Sequence, residues 1–228
     1  MTKKKTLMSW SSGKDSAWAF YKLLQNPEIE VVGLFCTVNR EFKRVAMHGV
    51  SVELLLQQAK RIGLPIELIE IPYPCNNEEY EKIMEQFVKK VKNNHIEHFA
   101  FGDLFLEDIR SYREQKLNNC GIKPIFPIWG SQTDTLAKEM INNGLKTIIT
   151  CIDPKQIPQE FIGQEFNEKF LESLPESADP CGENGEFHSF VYDGPMFSKP
   201  IQVSVGEIIH RDNFIFADLL PVTTNQTD

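Results

Sequence analysis

Over the first two-thirds of the chain, short apolar runs alternate with stretches whose apolar residues recur every three to four positions. Thr6–Trp10 reads as a strand, and Lys14–Gln25 as a helix with Trp18, Tyr21 and Leu24 on one face. Glu30–Val38, rich in Val, Leu and Phe, is the next strand. Val50–Ile62 follows as a helix closed by Gly63 and Pro65. The same rhythm predicts strands at Ile66–Ile71, His98–Phe101 and Lys146–Ile152, and a short strand or turn at Ile125–Ile128. It predicts helices at Asn77–Lys92, Leu104–Asn118 and Gln132–Asn142. Strands alternating with helices argue for a doubly wound α/β fold with a mostly parallel sheet, Rossmann-like. Such sheets bind ligands at the carboxyl ends of their strands, near a switch in strand order.

From about Pro154 the texture changes. Prolines crowd the chain, Pro180–Gly194 is polar and turn-rich, and Ile201–Val205, Glu207–His210 and Phe214–Leu220 read as short strands separated by Gly206 and Asp212-Asn213. The expected organisation is a nucleotide-type domain over 1–153 and a smaller mixed α+β domain over 154–228, ending in a frayed tail from Thr223.

Composition alters this picture mainly by exclusion. The chain has 228 residues and a net charge of −8, so it lacks the field that non-specific nucleic-acid binding uses. No apolar run is long enough to span a membrane, and Thr6–Trp10 is too short for a signal peptide. Five separated cysteines without a C-x-x-C pair suggest neither a zinc ribbon nor a disulfide framework, which fits a cytoplasmic location.

Three segments carry candidate chemistry. Ser11-Ser12-Gly13-Lys14-Asp15-Ser16 lies between the first strand and the first helix, where unpaired backbone N–H groups attract anions. Gly13 permits a tight turn, the serines and Lys14 add donors, and Asp15 is a candidate Mg²⁺ ligand. The same residues would also serve as an ordinary helix N-cap. Gly102-Asp103 ends the fourth strand. On the following helix, Glu107 with Arg110 and Arg110 with Glu114 have ion-pair spacing, while Arg110 and Arg113 are candidate substrate contacts. Asp179–Pro195 is the densest polar stretch. Its Glu183 and Glu186, flanked by glycines and followed by His188, have the composition either of a catalytic carboxylate pair or of a solvated loop.

Ser11–Ser16 resembles the S-G-G-x-D-S loop of ATP pyrophosphatases, with Ser12 in place of the first Gly. Together with Ala46-Met47-His48, Gly102-Asp103, Pro127-Ile128-Trp129, Gly182–Ser189 and Ala217-Asp218-Leu219, it makes nearly the whole chain resemble the diphthine–ammonia ligase family. The resemblance implies an ATP- and Mg²⁺-dependent ligase: a carboxylate is adenylated, pyrophosphate leaves, and ammonia displaces AMP. It implies that Ser11, Ser12, Gly13, Lys14, Asp15 and Ser16 hold phosphates and metal, and that Cys36, Thr37 and Val38 face the adenine. His48, Gly102 and Asp103 would line the nucleotide site. Lys14, Asp15, Glu183 and Glu186 would be catalytic, and His188 would touch substrate.

The diphthamide branch carries E-G-G-E-[YF]-E-T, where this chain has Glu183-Asn184-Gly185-Glu186-Phe187-His188-Ser189. The change at His188 leaves the carboxylate substrate open, whether carried on a protein or on a small molecule such as a corrinoid intermediate. A tRNA-modifying ATP pyrophosphatase and a non-catalytic nucleotide-binding regulator are the competing readings. A homodimer is the candidate assembly.

Overall fold

A computed structural model describes residues 3–46 and 48–222, so the expected tail from Thr223 lies outside the described residues. The elements in chain order are β1 (Lys4–Ser9), α1 (Lys14–Leu24), β2 (Ile29–Asn39), β3 (Arg44–Val45), α2 (Val52–Ile62), β4 (Ile66–Ile71), α3 (Asn77–Lys92), β5 (His98–Ala100), α4 (Glu107–Asn118), β6 (Lys123–Ile125), α5 (Thr133–Asn142), β7 (Lys146–Ile152), α6 (Glu168–Ser173), β8 (Phe187–Asp193), β9 (Val203–Arg211) and β10 (Phe214–Pro221). They form two compact units. One holds residues 1–11, 15–46 and 64–131; the other holds Ser12–Lys14, Met47–Gly63 and Gln132–Asp228.

The first unit is built on a parallel sheet in which β4, β2, β1, β5 and β6 lie side by side, with the two-residue β3 antiparallel on β2. The order runs outward from β1 in both directions. The switch therefore falls between β1 and β5, and the segments leaving their carboxyl ends bound a crevice. The central strands are buried, and β5 is buried along its whole length. Phe35 on β2 meets Phe99 on β5 at 4.8 Å and Phe87 on α3 at 5.1 Å between ring centroids. Around them pack Leu7, Ile69, Val88, Val91, Phe101 and Leu117. α3 turns Phe87, Val88 and Val91 inward, and Asn76 caps it by accepting from Glu79 N at 2.9 Å.

The second unit is an antiparallel sheet of order β8-β7-β10-β9. Its β7, which the sequence reading placed with the first domain, pairs with β8 and β10. An apolar strand after a helix has the same pattern in either sheet, so its periodicity does not reveal its neighbours. The sequence reads Ile201–Val205 and Glu207–His210 as two strands split at Gly206, whereas one strand, Val203–Arg211, runs through the glycine. Its ladder with β10 shifts between Ala217 and Leu219, a bulge that absorbs the break. A Cβ on Gly206 would lie 3.1 Å from the Asp218 carbonyl, so the glycine allows close passage rather than a turn. The six-residue helix α6 was not foreseen; its Phe170 packs on Phe161, Phe166 and Phe187. α2 also belongs to this unit. Ser51 caps it and Gly63, at φ 80°, ends it.

Candidate functional site

The Ser11–Ser16 loop leaves the carboxyl end of β1 and enters α1. Ser16 Oγ accepts from Ser11 N at 3.3 Å and lies 3.1 Å from Ser11 Oγ, which closes the loop on itself. Gly102, just past β5, lies so close that a Cβ there would stand 2.8 Å from Asp15 C and Ser16 N. Only glycine lets the end of β5 approach the loop at the switch in strand order.

Ser12 has φ 71°, the left-handed region that favours glycine. The resemblance puts Ser12 where the S-G-G-x-D-S loop has Gly, and its backbone lies in a region that glycine enters freely. Ser12 is fully buried, yet its Oγ has no hydrogen-bond partner among the described residues. A buried hydroxyl without a partner costs roughly 1–3 kcal/mol, and a ligand oxygen would remove that cost.

Within the second unit, Gln58 of α2 is buried and ties two backbones together. Its Nε2 donates to Ser12 O at 3.0 Å and to Val191 O at 2.6 Å. Val191 N donates back to Ser12 O at 2.9 Å. Gly13 has no room for a side chain, since a Cβ would meet His48 Cε1 at 2.6 Å. Lys14 is only 2% exposed. Its backbone N donates to Ser189 Oγ at 3.2 Å, its Nζ donates to the Cys181 carbonyl, and Phe187 and Phe166 stand 5.2 and 5.8 Å from the ammonium. The side chain expected on a phosphate is thus set among a carbonyl and two aromatic faces.

A cavity of about 380 Å³ opens in the first unit. Ser9, Trp10 and Ser11 line it from the end of β1, Cys36 and Thr37 from β2, and Phe99 and Phe101 from β5 and its extension. Tyr80, Met84, Tyr112, Arg113 and Lys116 line it from α3 and α4. Trp10, read from the sequence as packing, is part of this wall. Val38, Gly102 and Asp103 are not among the lining residues. Burial pushes the Cys36 thiol up to about 12, which makes it a neutral apolar wall rather than a nucleophile.

Asp103 and Arg113 make a forked pair, with Nε to Oδ2 at 2.7 Å and Nη2 to Oδ1 at 3.2 Å, and the guanidinium lies 4.2 Å from the Phe101 ring centroid. Arg110 pairs with Glu114 at 2.8 Å and lies over Trp129 and Phe126. The expected Glu107–Arg110 pair is absent among the described residues. One arginine therefore faces the cavity and the other is stacked away from its lining.

The Asp179–Glu186 loop of the second unit is held by two carboxylates. Glu186, 1% exposed, accepts from Asp179 N at 2.8 Å, Asn184 N at 2.9 Å and Asn184 Nδ2 at 3.1 Å. Asp179 accepts from Cys181 N at 2.8 Å, Glu183 N at 3.2 Å and Thr133 Oγ1 at 2.6 Å. Asp179 was not singled out as a site residue. The available signal was Asp-Pro opening a glycine-bearing stretch, the usual start of an Asx turn. His188 follows on β8, its ring 4.8 Å from that of His48. His48 Nδ1 lies 3.0 Å from the Ser189 carbonyl; since that oxygen only accepts, Nδ1 carries the proton. Burial, reinforced for His188 by His48 and Lys14, holds the imidazoles low, at about 4 for His48 and about 3 for His188. Both rings are neutral near pH 7.

Among the described residues no three His, Cys, Asp or Glu side chains gather as a metal site, and no helix is long and apolar enough to cross a membrane.

Residues 4–124 match the diphthamide synthase N-terminal domain, and residues 132–219 match the diphthamide synthase C-terminal domain. Among curated relatives, a mouse diphthine–ammonia ligase is 24% identical over 178 residues, covering 76% of this chain and 67% of the relative. The human protein of that name is 21% identical over the same length. The zebrafish one is 28% identical over 147 residues, 61% of this chain and 57% of the relative.

Proposed function

Because the chain belongs to the diphthamide synthase family, a family of ligases, we propose that it uses ATP to adenylate a carboxylate and then amidates it with ammonia. The observation that carries the reading is the Ser11–Ser16 loop, set at the switch in strand order and pressed on by Gly102, beside a cavity of about 380 Å³.

Under this reading the adenosine occupies the cavity against Cys36 and Thr37, and the triphosphate meets the loop. The α1 N-terminus supplies backbone donors and Ser12 Oγ supplies a further one. The donor set fits Mg²⁺, which takes one or two carboxylates together with substrate phosphates rather than a protein cage. Asp15 would hold the ion, which neutralises charge on the phosphates. A carboxylate oxygen of the substrate attacks the α-phosphorus. The bond to the bridging oxygen breaks, and pyrophosphate leaves with the electron pair. Ammonia then adds to the acyl carbon and AMP departs, while a base takes the proton from nitrogen. Glu183 is assigned that base. Glu186 and Lys14 act as positioning residues, because their polar ends are engaged by the Asp179–Glu186 loop. His188 is assigned to the acyl substrate, and Arg113 to the wall of the cavity.

The relatives' name specifies diphthine. His188, standing where that branch has Glu, makes small-molecule carboxylates part of the test. Purified protein is given Mg-ATP, ammonium and candidate carboxylates in turn, and AMP and pyrophosphate are measured. Carboxylate-dependent AMP and pyrophosphate, reduced at least tenfold in Asp15→Ala and in Glu183→Gln, are expected. ADP and inorganic phosphate as products would overturn the reading.

A further inference from the structure

β9 is the last strand in the order of the second unit's sheet, and no strand covers its outer edge among the described residues. Edge strands in monomers are normally short, or protected by Lys, Pro, bulges or inward charges; the bulge of β9 lies between Val205 and Ile208 and leaves 208–211 in regular register. This one is nine residues long, Val203-Ser-Val-Gly-Glu-Ile-Ile-His-Arg211, with neither Lys nor Pro. Val205, Ile208 and Ile209 are each about two-fifths exposed. These β-branched residues favour a strand with neighbours on both sides.

The strand also matches itself. Asp212 and Asn213, at φ 51° and 67°, make a two-residue turn, and Arg211 faces Phe214 across it. In such a hairpin the flanking pair exchanges hydrogen bonds. By alternation Arg211 and Ile209 bond inward to β10, while His210 and Ile208 direct their N–H and C=O groups outward. An antiparallel copy related by a two-fold axis at Ile209 sets Ile208 opposite His210 of the other chain, so the outward groups meet. Glu207, Ile209 and Arg211 share one face. In this register Ile209 meets its own equivalent, and each Glu207 stands opposite an Arg211.

We propose that the chain forms a two-fold dimer by antiparallel pairing of β9 with β9 of a second copy, in the register centred on Ile209. The two four-stranded sheets then become one of eight strands. Ile208 adds apolar area to the seam, which pairs residues 207–211 of each copy.

The test uses the full chain and reads mass in solution by light scattering and sedimentation across the micromolar range. Wild type is expected to be a dimer. Arg211→Glu sets Glu against Glu207 twice over, and Glu207→Arg sets Arg against Arg211 twice over. Each single reversal is expected to weaken the dimer about tenfold to thirtyfold. The double reversal Glu207→Arg with Arg211→Glu restores both opposite pairs and is expected to recover dimerisation. Circular-dichroism melting of each variant separates loss of pairing from loss of fold. A wild-type monomer would overturn the proposal, as would a dimer indifferent to the single reversals or one that the double reversal does not recover. None of these outcomes depends on the ligase reading, which is tested by products.

Discussion

The Ser11–Ser16 loop and the Asp179–Glu186 loop are both short, polar and glycine-bearing, but they treat their hydrogen-bonding groups in opposite ways. The first buries a hydroxyl with no partner and keeps a serine in a left-handed conformation. The second spends two carboxylates on its own backbone and leaves Glu186 1% exposed. Carboxylate-rich composition alone would make the second loop look like the reactive one. Counting partners leaves the first loop with an unpaired buried hydroxyl and gives the second the work of holding a shape.

The widest test of this contrast is acidification. His48 and His188 stand beside the second loop, with pKa values of about 4 and about 3 against 6.5 unfolded. Below pH 6.5 the unfolded chain binds protons that the folded chain refuses. Their contribution is therefore fully present above 6.5 and is lost as pH falls toward 4 for His48 and toward 3 for His188. For two such groups the slope approaches roughly 3 kcal/mol per pH unit. Urea titrations at stepped pH should show it, and His188→Asn should remove about half. An unchanged slope in that variant would mean the ring is hydrated rather than dry.

Next in size is Glu186→Ala, which strips the acceptor from Asp179 N and Asn184 N. A loss of about 3 kcal/mol is expected, because charged hydrogen bonds are broken and buried N–H groups are left without partners. The shift of the urea midpoint measures it. Glu186→Gln, which keeps one acceptor oxygen, should lose clearly less. If both cost nothing, the loop is held by other means and the contrast fails.

The smallest effect is the most discriminating. Ser12→Gly should relieve the left-handed strain and raise stability by about 1 kcal/mol. It should also weaken ATP binding by about fivefold, the worth of one hydrogen bond. Ser12→Ala should lose the same affinity and keep the left-handed strain, so any gain in stability comes only from removing the unpaired hydroxyl. Calorimetric titration and thermal melting of the two variants separate a ligand-binding hydroxyl from a tolerated packing residue.

Much of the first unit was legible in the sequence because its signals are local. Helical spacing in Asn77–Lys92, capped by Asn76, and the apolar run of Ile66–Ile71 need no knowledge of what they pack against. The place of the loop between β1 and α1 was legible as well, since its turn signals lie in six consecutive residues. Lys14 shows where that locality ends. Its position in the motif points to phosphate, but its ammonium is drawn into a pocket made by Cys181, Phe166 and Phe187, more than 150 residues later in the chain. Gly206 was misread for a related reason: a glycine at a turn and a glycine under a bulge look alike until the opposite strand is known. Asp179 and Glu186 were visible as acidic residues. Their roles depend on which amides turn toward them, and no spacing rule encodes that.

The interleaving of the two units bears on how the chain is made. Ser12–Lys14 and α2 belong with residues 132–228, although they leave the ribosome well before them. The parallel sheet's last strand emerges by Ile125, but Gln58 must wait for Val191 to be synthesised before it can bond to it. The nascent chain therefore carries an amphipathic helix and a glycine-bearing loop without their native neighbours for more than 100 residues of elongation. Truncation after residue 131 would make that interval permanent. A fragment cut there would expose the buried face of α2, and its poor solubility would follow from its place in the order of synthesis.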